Sequence, residues 1–448
     1  MGVILQAFYW NCPDVAGVPG GWWREVLARL PALKQAGFSA LWLPPASKAA
    51  EIASMGYDPY DYYDLGDLAQ KGGQATWFGT GADLRALLAA ARADPPVQVY
   101  ADLVLDHASG ADAQEQNPID GQWRWTRFDP ASGRFPRSWA DFHPCVFESW
   151  DGYPLANGMP DLCHRNPRVY QELLAWARWL IEDVGFDGFR YDMVKGYGAW
   201  VVGAIQEYRY RLSGAAYFKP FGVGEYWDSE GSITSWLAEA WESSDNPVAA
   251  FDFPLRGRLK ALCDTWGYDL RELPAPGALY VDRPAQAVTF VESHDLAEPH
   301  PGADPIVNAK MLAYAVILTH EGYPCVFWRD WFDLGLAEEG LRSGIAALVR
   351  VHEDHARGPS DVLYVDHDLY LAQRRGLDGQ GGLVLVLNNR GDGWSGQRVR
   401  TAWPGARLVP EAWRGEDDLG TPADVQADGD GWADLWAPPR GYAVYRPA

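Results

Sequence analysis

The stretch NPRVYQELLAWARWLIEDVGFDGFRYD, residues 166–192, holds one complete helix-to-strand step. Asn166 can cap a helix, and Pro167 fits its first turn, where no amide hydrogen is needed. Leu173, Leu174, Ala177, Leu180 and Ile181 recur at the spacing of a single helical face, which predicts a helix over 167–184. Gly185 sits where a left-handed residue would end it. The run that follows is short and apolar, which predicts a strand over 186–191, and it closes on Arg190 and Asp192.

The same step repeats along the chain. Strands are expected at 3–9, 38–43, 97–105, 186–191, 221–226, 248–253, 287–292 and 323–328. Helical patterns follow them at 22–36, 82–93, 167–184, 198–213, 233–241, 255–265, 306–320 and 338–353. Eight strand-then-helix units predict an α/β fold closed into a (β/α)₈ TIM barrel. Residues 108–165 break the rhythm between the third strand and its helix. They are rich in Asp, Gly, Pro and Trp, and a connection of that length is usually functional or a small domain. Beyond about residue 357, strand-like pieces such as 368–374 and 383–387 alternate with Gly-rich turns. The expected organisation is a barrel from 1–107 and 166–357, an inserted domain B from 108–165, and a C-terminal antiparallel β-sandwich domain from 358–448.

Composition narrows the function. Among 448 residues, 60 are acidic and 38 basic, a net charge of −22. Nucleic acid and anionic membrane surfaces both require a basic face, so neither is an expected partner. No apolar run reaches 18 residues, so no membrane span is expected. The start of the chain shows no basic-then-apolar leader, which reads as a cytoplasmic protein, or as a secreted one if a leader was removed. The chain is read as a monomer. Five cysteines, at 12, 145, 163, 263 and 325, have no zinc-site spacing and are expected mostly as reduced thiols, although Cys145 and Cys163 could bridge the excursion. The 23 Trp and 22 Tyr offer flat apolar faces with one polar atom each, which suit stacking on sugar rings or burial in a large barrel.

In a barrel, chemistry gathers at the C-terminal ends of the strands. The third strand ends Asp102-Leu-Val-Leu-Asp106-His107, and the fourth Arg190-Tyr-Asp192 followed by Met193-Val-Lys195-Gly196. The fifth ends Gly224-Glu225-Tyr226-Trp227, and the seventh Glu292-Ser-His294-Asp295. Hydrolysis of an acetal requires an acid to protonate the leaving oxygen and a carboxylate to trap or stabilise the oxocarbenium-like carbon. Alternation along the strand puts Arg190 and Asp192 on one face, where the guanidinium favours the ionised carboxylate. Glu225 follows an apolar run beside Tyr226 and Trp227, a setting that raises a carboxyl pKa and suits a proton donor.

These segments resemble the signature segments of the alpha-amylase family of glycoside hydrolases. Gly56–Asp64 (GYDPYDYYD), Met159-Pro-Asp161-Leu162 and Pro324-Cys-Val-Phe-Trp328 are similar to further segments of that family, and Lys195-Gly196-Tyr197 to its plant-type members. The resemblance spans roughly residues 3–375. It implies a retaining hydrolase that cuts internal α-1,4 bonds of starch, glycogen or malto-oligosaccharides. Asp192 would be the nucleophile, Glu225 the general acid/base and Asp295 the third carboxylate. Arg190 would orient Asp192, with Asp102 in support. His107 and His294 would bind sugar hydroxyls, Tyr57 would stack beneath the ring, and Lys195 would reach the leaving-group side. Trp227, beside Glu225, is counted with the substrate-binding residues. The resemblance also implies Ca²⁺, with Asp106, Asp151, Asp161 and the Gly196 carbonyl as its ligands.

Three positions depart from the family pattern. Asp106 stands for an Asn, Glu292-Ser293 for Asp-Asn, and Cys163 for Asn or Asp. Asp remains a hard oxygen ligand, so calcium is still expected. Two other readings use the same sequence. One is a transglycosylase or a relative that forms defined malto-oligosaccharides on this scaffold. The other is a non-catalytic sugar-binding derivative, which would be expected to have lost one of the three carboxylates, and all three are present.

Overall fold

The computed structural model describes residues 2–152, 158–211, 216–416 and 420–448. Eight short parallel strands close into a barrel: β1 Ile4–Gln6, β2 Ala40–Trp42, β3 Gln98–Leu103, β4 Gly188–Tyr191, β5 Phe221–Gly224, β6 Ala249–Phe251, β7 Ala287–Phe290 and β8 Tyr323–Phe327. Closure is visible in the register, where Ile4 of β1 pairs with both Ala40 of β2 and Cys325 of β8. Nearly every strand residue is buried, because helices cover the outside and side chains fill the inside.

All eight expected strands are present, and a helix lies at each expected helical position. The helix Pro167–Trp179 begins where Asn166 accepts a hydrogen bond from the Arg168 amide at 3.0 Å. It continues as one π-helical turn, Leu180–Val184, and stops at Gly185 with φ of 106°, a conformation costly for any residue with a Cβ. Three expectations ran too long, and the helix placed at 338–353 starts only at Ile345. The helix placed at 198–213 is Ala199–Glu207, and the one placed at 306–320 is Lys310–Thr319.

The excursion between β3 and the helix at Pro167 contains a two-stranded antiparallel ribbon, Ala113–Gln116 with Trp123–Arg127. Cys145 and Cys163 are joined as a disulfide within it, the pairing that the sequence left open. Cys12, Cys263 and Cys325 are free and buried. The C-terminal region is a six-stranded antiparallel sheet backed by the ribbon Ser395–Arg400 with Trp432–Ala437, and the two layers share their own apolar core. It docks on the barrel through Arg440, which donates to the carbonyls of Leu262 and Cys263 at 3.0 and 2.7 Å. Among the described residues no helix is long and apolar enough to cross a membrane.

Candidate active site

Parallel pairing of β3 and β4 puts Asp102 directly beside Arg190. Arg190 is buried at the top of the barrel and gathers three carboxylates. One guanidinium nitrogen lies 2.8 Å from Asp102 and 2.6 Å from Asp192, and the other lies 2.6 Å from Glu225. Asp102 is saturated: its second oxygen accepts from the Trp42 indole at 3.0 Å and from the Tyr57 hydroxyl at 2.8 Å. Glu225 also accepts from the Met193 amide at 3.1 Å. Asp295, at the end of β7, completes the mouth. It lies 3.4 Å from His294 Nε2 and lines one small cavity together with Glu225, Arg190 and Phe253.

Aromatic rings fix the floor. Tyr57 stacks on His294 with centroids 5.1 Å apart, and Trp10 lies nearly parallel to both. Gln6 of β1 bonds to His294 Nδ1 at 2.9 Å, which leaves Nε2 facing Asp295. Burial holds His294 neutral, with its pKa lowered to about 4, so its ring can exchange hydrogen bonds with hydroxyls without carrying charge.

Burial decides the protonation of the carboxylates. Glu225 is pushed up to about 7 by loss of water, against the pull of Arg190, with the neighbouring Asp295 and Asp192 adding to the rise. Asp192 is pushed up to about 6 for the same reason, again against Arg190. The expected pull of Arg190 toward ionised Asp192 is present but outweighed by burial. The Arg190 charge is divided among three acids, so each is favoured less than in a simple pair.

The family profile described as Alpha amylase, catalytic domain matches residues 10–209, and the one described as Alpha-amylase C-terminal matches residues 383–446. The chain is 33% identical to an alpha-amylase of Geobacillus stearothermophilus, over 87% of this chain and 78% of that protein. It is 30% identical to a glucan 1,4-alpha-maltohexaosidase of Bacillus sp. (strain 707), over 88% and 86%. The chain belongs to the alpha-amylase family. Its fold is that of the alpha-amylase of Geobacillus thermoleovorans, solved with acarbose, with a TM-score of 0.68 at 21% identity over 96% of this chain and 92% of that one. This alpha-amylase-family chain is a glycoside hydrolase.

Other expected residues fall at the rim of the amylase-type mouth. His107 is buried, with Nε2 2.7 Å from the Tyr57 carbonyl and Nδ1 3.3 Å from Asp106. Lys195 is tied to Asp228 at 2.8 Å, and Trp227 is half exposed and stacked on Phe253 at 5.0 Å. Glu292 does not face the substrate. It is fully buried against Lys310 at 3.1 Å, Arg256 at 3.3 Å and the Ile306 amide, so this departure from the family pattern ties β7 to the loop that follows it.

A second polar cluster lies where the excursion meets the barrel. Ligand atoms of His143, Asp151 and Asp161 lie within 4.8 Å of one another, an arrangement able to hold a cation. Leu162 donates to the Asp106 carbonyl at 2.8 Å, which brings Asp161 beside the end of β3. Gly196 packs so closely on Asp106 that a Cβ would collide with its carboxylate, and a Cβ on Gly152 would strike the Gly196 carbonyl. Asp151 and Asp161 are thus grouped with His143, while Asp106 lies outside that group and packs against Gly196. His143 and His164, which bonds Asp151 at 3.0 Å, were not foreseen, since nothing in their local spacing marks them. Trp42, Gln6 and Trp10 were also missed: Gln6 and Trp42 end their strands, and Trp10 lies in the turn beyond β1.

A larger cavity, about 930 Å³, opens at the other end of the barrel between Gly2, Tyr323, His352 and Arg374. None of these carboxylates reaches it, and barrel enzymes work at the opposite face.

Removing the shared cation tests this electrostatic arrangement. Arg190→Gln leaves three buried carboxylates without a counter-charge, so a loss of about 3–5 kcal/mol at pH 7 is expected. Their folded pKa values, already raised, rise further. The folded state then binds more protons than the unfolded chain, so stability falls as pH rises from about 4 through the folded values. Urea melts at pH 5 and pH 7.5 should show the larger deficit at pH 7.5. A deficit that is equal at the two pH values would contradict it.

Proposed function

We propose that this protein is a retaining, endo-acting α-amylase that hydrolyses internal α-1,4 bonds of starch, glycogen or malto-oligosaccharides. The observation that carries the proposal is the single buried guanidinium touching both Asp192 and Glu225. Two carboxyl groups within the span of one Arg suit the separation of about 5–5.5 Å typical of retaining enzymes. Inverting enzymes need about 6.5–9.5 Å to admit a water between sugar and base. The acarbose-bound relative supports an oligosaccharide-like substrate, and the maltohexaosidase relative leaves the product length to experiment.

In this reading the sugar lies on Tyr57 with its hydroxyls toward His107, His294 and Asp295. Asp192 attacks C1, while Glu225, protonated because burial outweighs Arg190, gives its proton to the leaving oxygen. The product is a covalent glucosyl-enzyme. Glu225, now a carboxylate, takes a proton from a water that enters on the face just vacated. The second displacement restores the α configuration and frees Asp192. Lys195 and Trp227 flank the leaving-group side.

Calcium belongs to the same proposal. Asp106 Oδ1, Asp151 Oδ1 and Asp161 Oδ1 are buried and have no hydrogen-bond partner among the described residues. Unpaired buried carboxylate oxygens are costly unless a cation satisfies them, and hard oxygen donors fit Ca²⁺. Asp106, Asp151, Asp161 and the Gly196 carbonyl would hold it, and the ion would pin the excursion to the barrel without entering the chemistry.

Two outcomes follow. The value of kcat/KM should fall as pH rises through about 7, because the acid form of Glu225 is lost. Glu225→Gln should abolish that limb and slow maltoheptaose cleavage by roughly 10²–10⁴-fold, yet still form the intermediate from an α-maltosyl fluoride, whose leaving group needs no proton. Asp192→Asn should turn over neither substrate. Near-normal rates for either variant on maltoheptaose would remove the assignment. Separately, complete chelation should lower the melting temperature through the lost binding linkage. An unchanged melting temperature, with no metal by elemental analysis, would exclude the ion.

A further inference from the structure

The cavity of about 930 Å³ at the far end of the barrel has an apolar floor. Phe221, Ala249, Ala287 and Tyr323 form it, the residues that open β5, β6, β7 and β8. Its wall comes from the helix Ile345–His355 and from Arg374, the last residue of the strand Leu369–Arg374 in the C-terminal sheet. A space of this size is in the range that holds a small organic molecule. Three polar groups in the wall are buried without a full set of partners. Arg374 is 3% exposed, and among the described residues no carboxylate forms an ion pair with it. Its Nε donates to the Gly358 carbonyl at 2.8 Å, and one terminal nitrogen donates to the Thr319 carbonyl at 3.4 Å. Thr319 ends the helix Lys310–Thr319, so the second bond caps that helix. The two bonds leave most of the guanidinium's N–H groups open. His352 is 1% exposed, and its Nδ1 donates to the Leu318 carbonyl at 3.2 Å. Burial keeps the ring neutral, with its pKa lowered to about 4, so Nε2 is a bare lone pair. Nε2 and the buried Glu353 Oε1 both lack a hydrogen-bond partner among the described residues. Buried polar atoms left in this state are costly unless something satisfies them.

We infer that this cavity is a binding site for a free α-amino acid with a large apolar side chain. The carboxylate meets Arg374, the ammonium meets Glu353 Oε1 and the His352 lone pair, and the side chain covers the apolar floor. Charge selects a zwitterion. The charged side chains around the cavity are Arg357 and Arg374 against Glu321 and Glu353, so a ligand without net charge matches them. A simple organic acid leaves both acceptors unfilled and approaches a chain of net charge −22. A simple amine leaves the guanidinium unfilled, and a neutral sugar brings it no charge. The ligand touches Arg374 from the C-terminal region and four strand ends from the barrel. It therefore binds the docked arrangement of the two and stabilises it by linkage. Asp192 and Glu225 stand at the opposite ends of their strands, so the site is separate from the catalytic mouth.

Calorimetric titration and thermal melts with L-phenylalanine, L-leucine and glycine test the inference. Phenylalaninamide, which lacks the carboxylate, and 3-phenylpropionate, which lacks the ammonium, separate the two ends of the ligand. Phenylalanine and leucine should bind saturably, with Kd of about 1 mM or below, and raise the melting temperature. Glycine should bind at least about tenfold more weakly, since it buries no side chain. Arg374→Met should weaken phenylalanine at least about tenfold and leave phenylalaninamide unchanged. Glu353→Gln should weaken phenylalanine by a similar factor and leave 3-phenylpropionate unchanged. Far-UV circular dichroism reports the folding of both variants, and their kcat/KM on maltoheptaose should stay within about twofold of the parent. No saturable binding up to about 10 mM, or equal affinity for phenylalanine and glycine, would overturn the inference. So would parental affinity for phenylalanine in either folded variant. Should Arg374→Met fail to fold, the contrast between phenylalanine and 3-phenylpropionate on Glu353→Gln decides alone.

Discussion

A guanidinium buried among three carboxylates is the constraint around which the top of this barrel is built. Arg190 is held by Asp102 from the neighbouring strand, and Asp102 is locked in turn by Trp42 and Tyr57. A lone buried cation or a lone buried acid would be expensive. Together they are tolerable, and the remaining two positions around the guanidinium go to Asp192 and Glu225. Burial raises both acids, and because neither has the cation to itself the guanidinium does not reverse the rise. The consequence is chemical. An acid able to donate near neutral pH stands next to a carboxylate able to attack, and the same residue fixes the positions of both.

The excursion extends this arrangement outward. It leaves the barrel beyond the end of β3, the strand that carries Asp102, and it returns its own Asp151 and Asp161 to the region of Asp106 and Gly196. Its other end reaches the Tyr57 segment through Tyr60 and Arg137, which donates to the Tyr60 carbonyl. Two sides of the mouth are thus tied to one inserted segment, so a cation at the base of that segment would act on catalysis only through position. The Cys145–Cys163 disulfide closes the same part of the excursion covalently.

Much of this was legible from the residues. Parallel barrel strands are buried on both faces, so each reads as a short apolar run, and all eight could be placed. Polar residues ending those runs announce the mouth, which is how Asp192, Glu225, Asp295, Arg190 and His294 were found together. What escaped depends on register or on long-range folding. That one guanidinium serves three acids follows from Asp102 pairing opposite Arg190, which spacing along one strand cannot show. His143 and His164 reach the acidic cluster through an irregular chain with no period to read. The exposed ribbon was written in plain alternation, Trp123-Arg124-Trp125-Thr126-Arg127, but lay in a segment read only for its lack of helix. The helix ends at Glu207 and Lys310 fell short of their patterns, since tertiary packing sets where an amphipathic run stops.

The central claim is that Arg190 holds Asp192 and Glu225 close enough for direct attack on the sugar. The stereochemistry of the first product tests it most directly, because separation and outcome are linked. Proton NMR during the first minutes of maltoheptaose cleavage, before mutarotation, should show the α-anomer of the new reducing end appearing first. The β-anomer appearing first would mean a water had fitted between sugar and carboxylate, and would contradict the account.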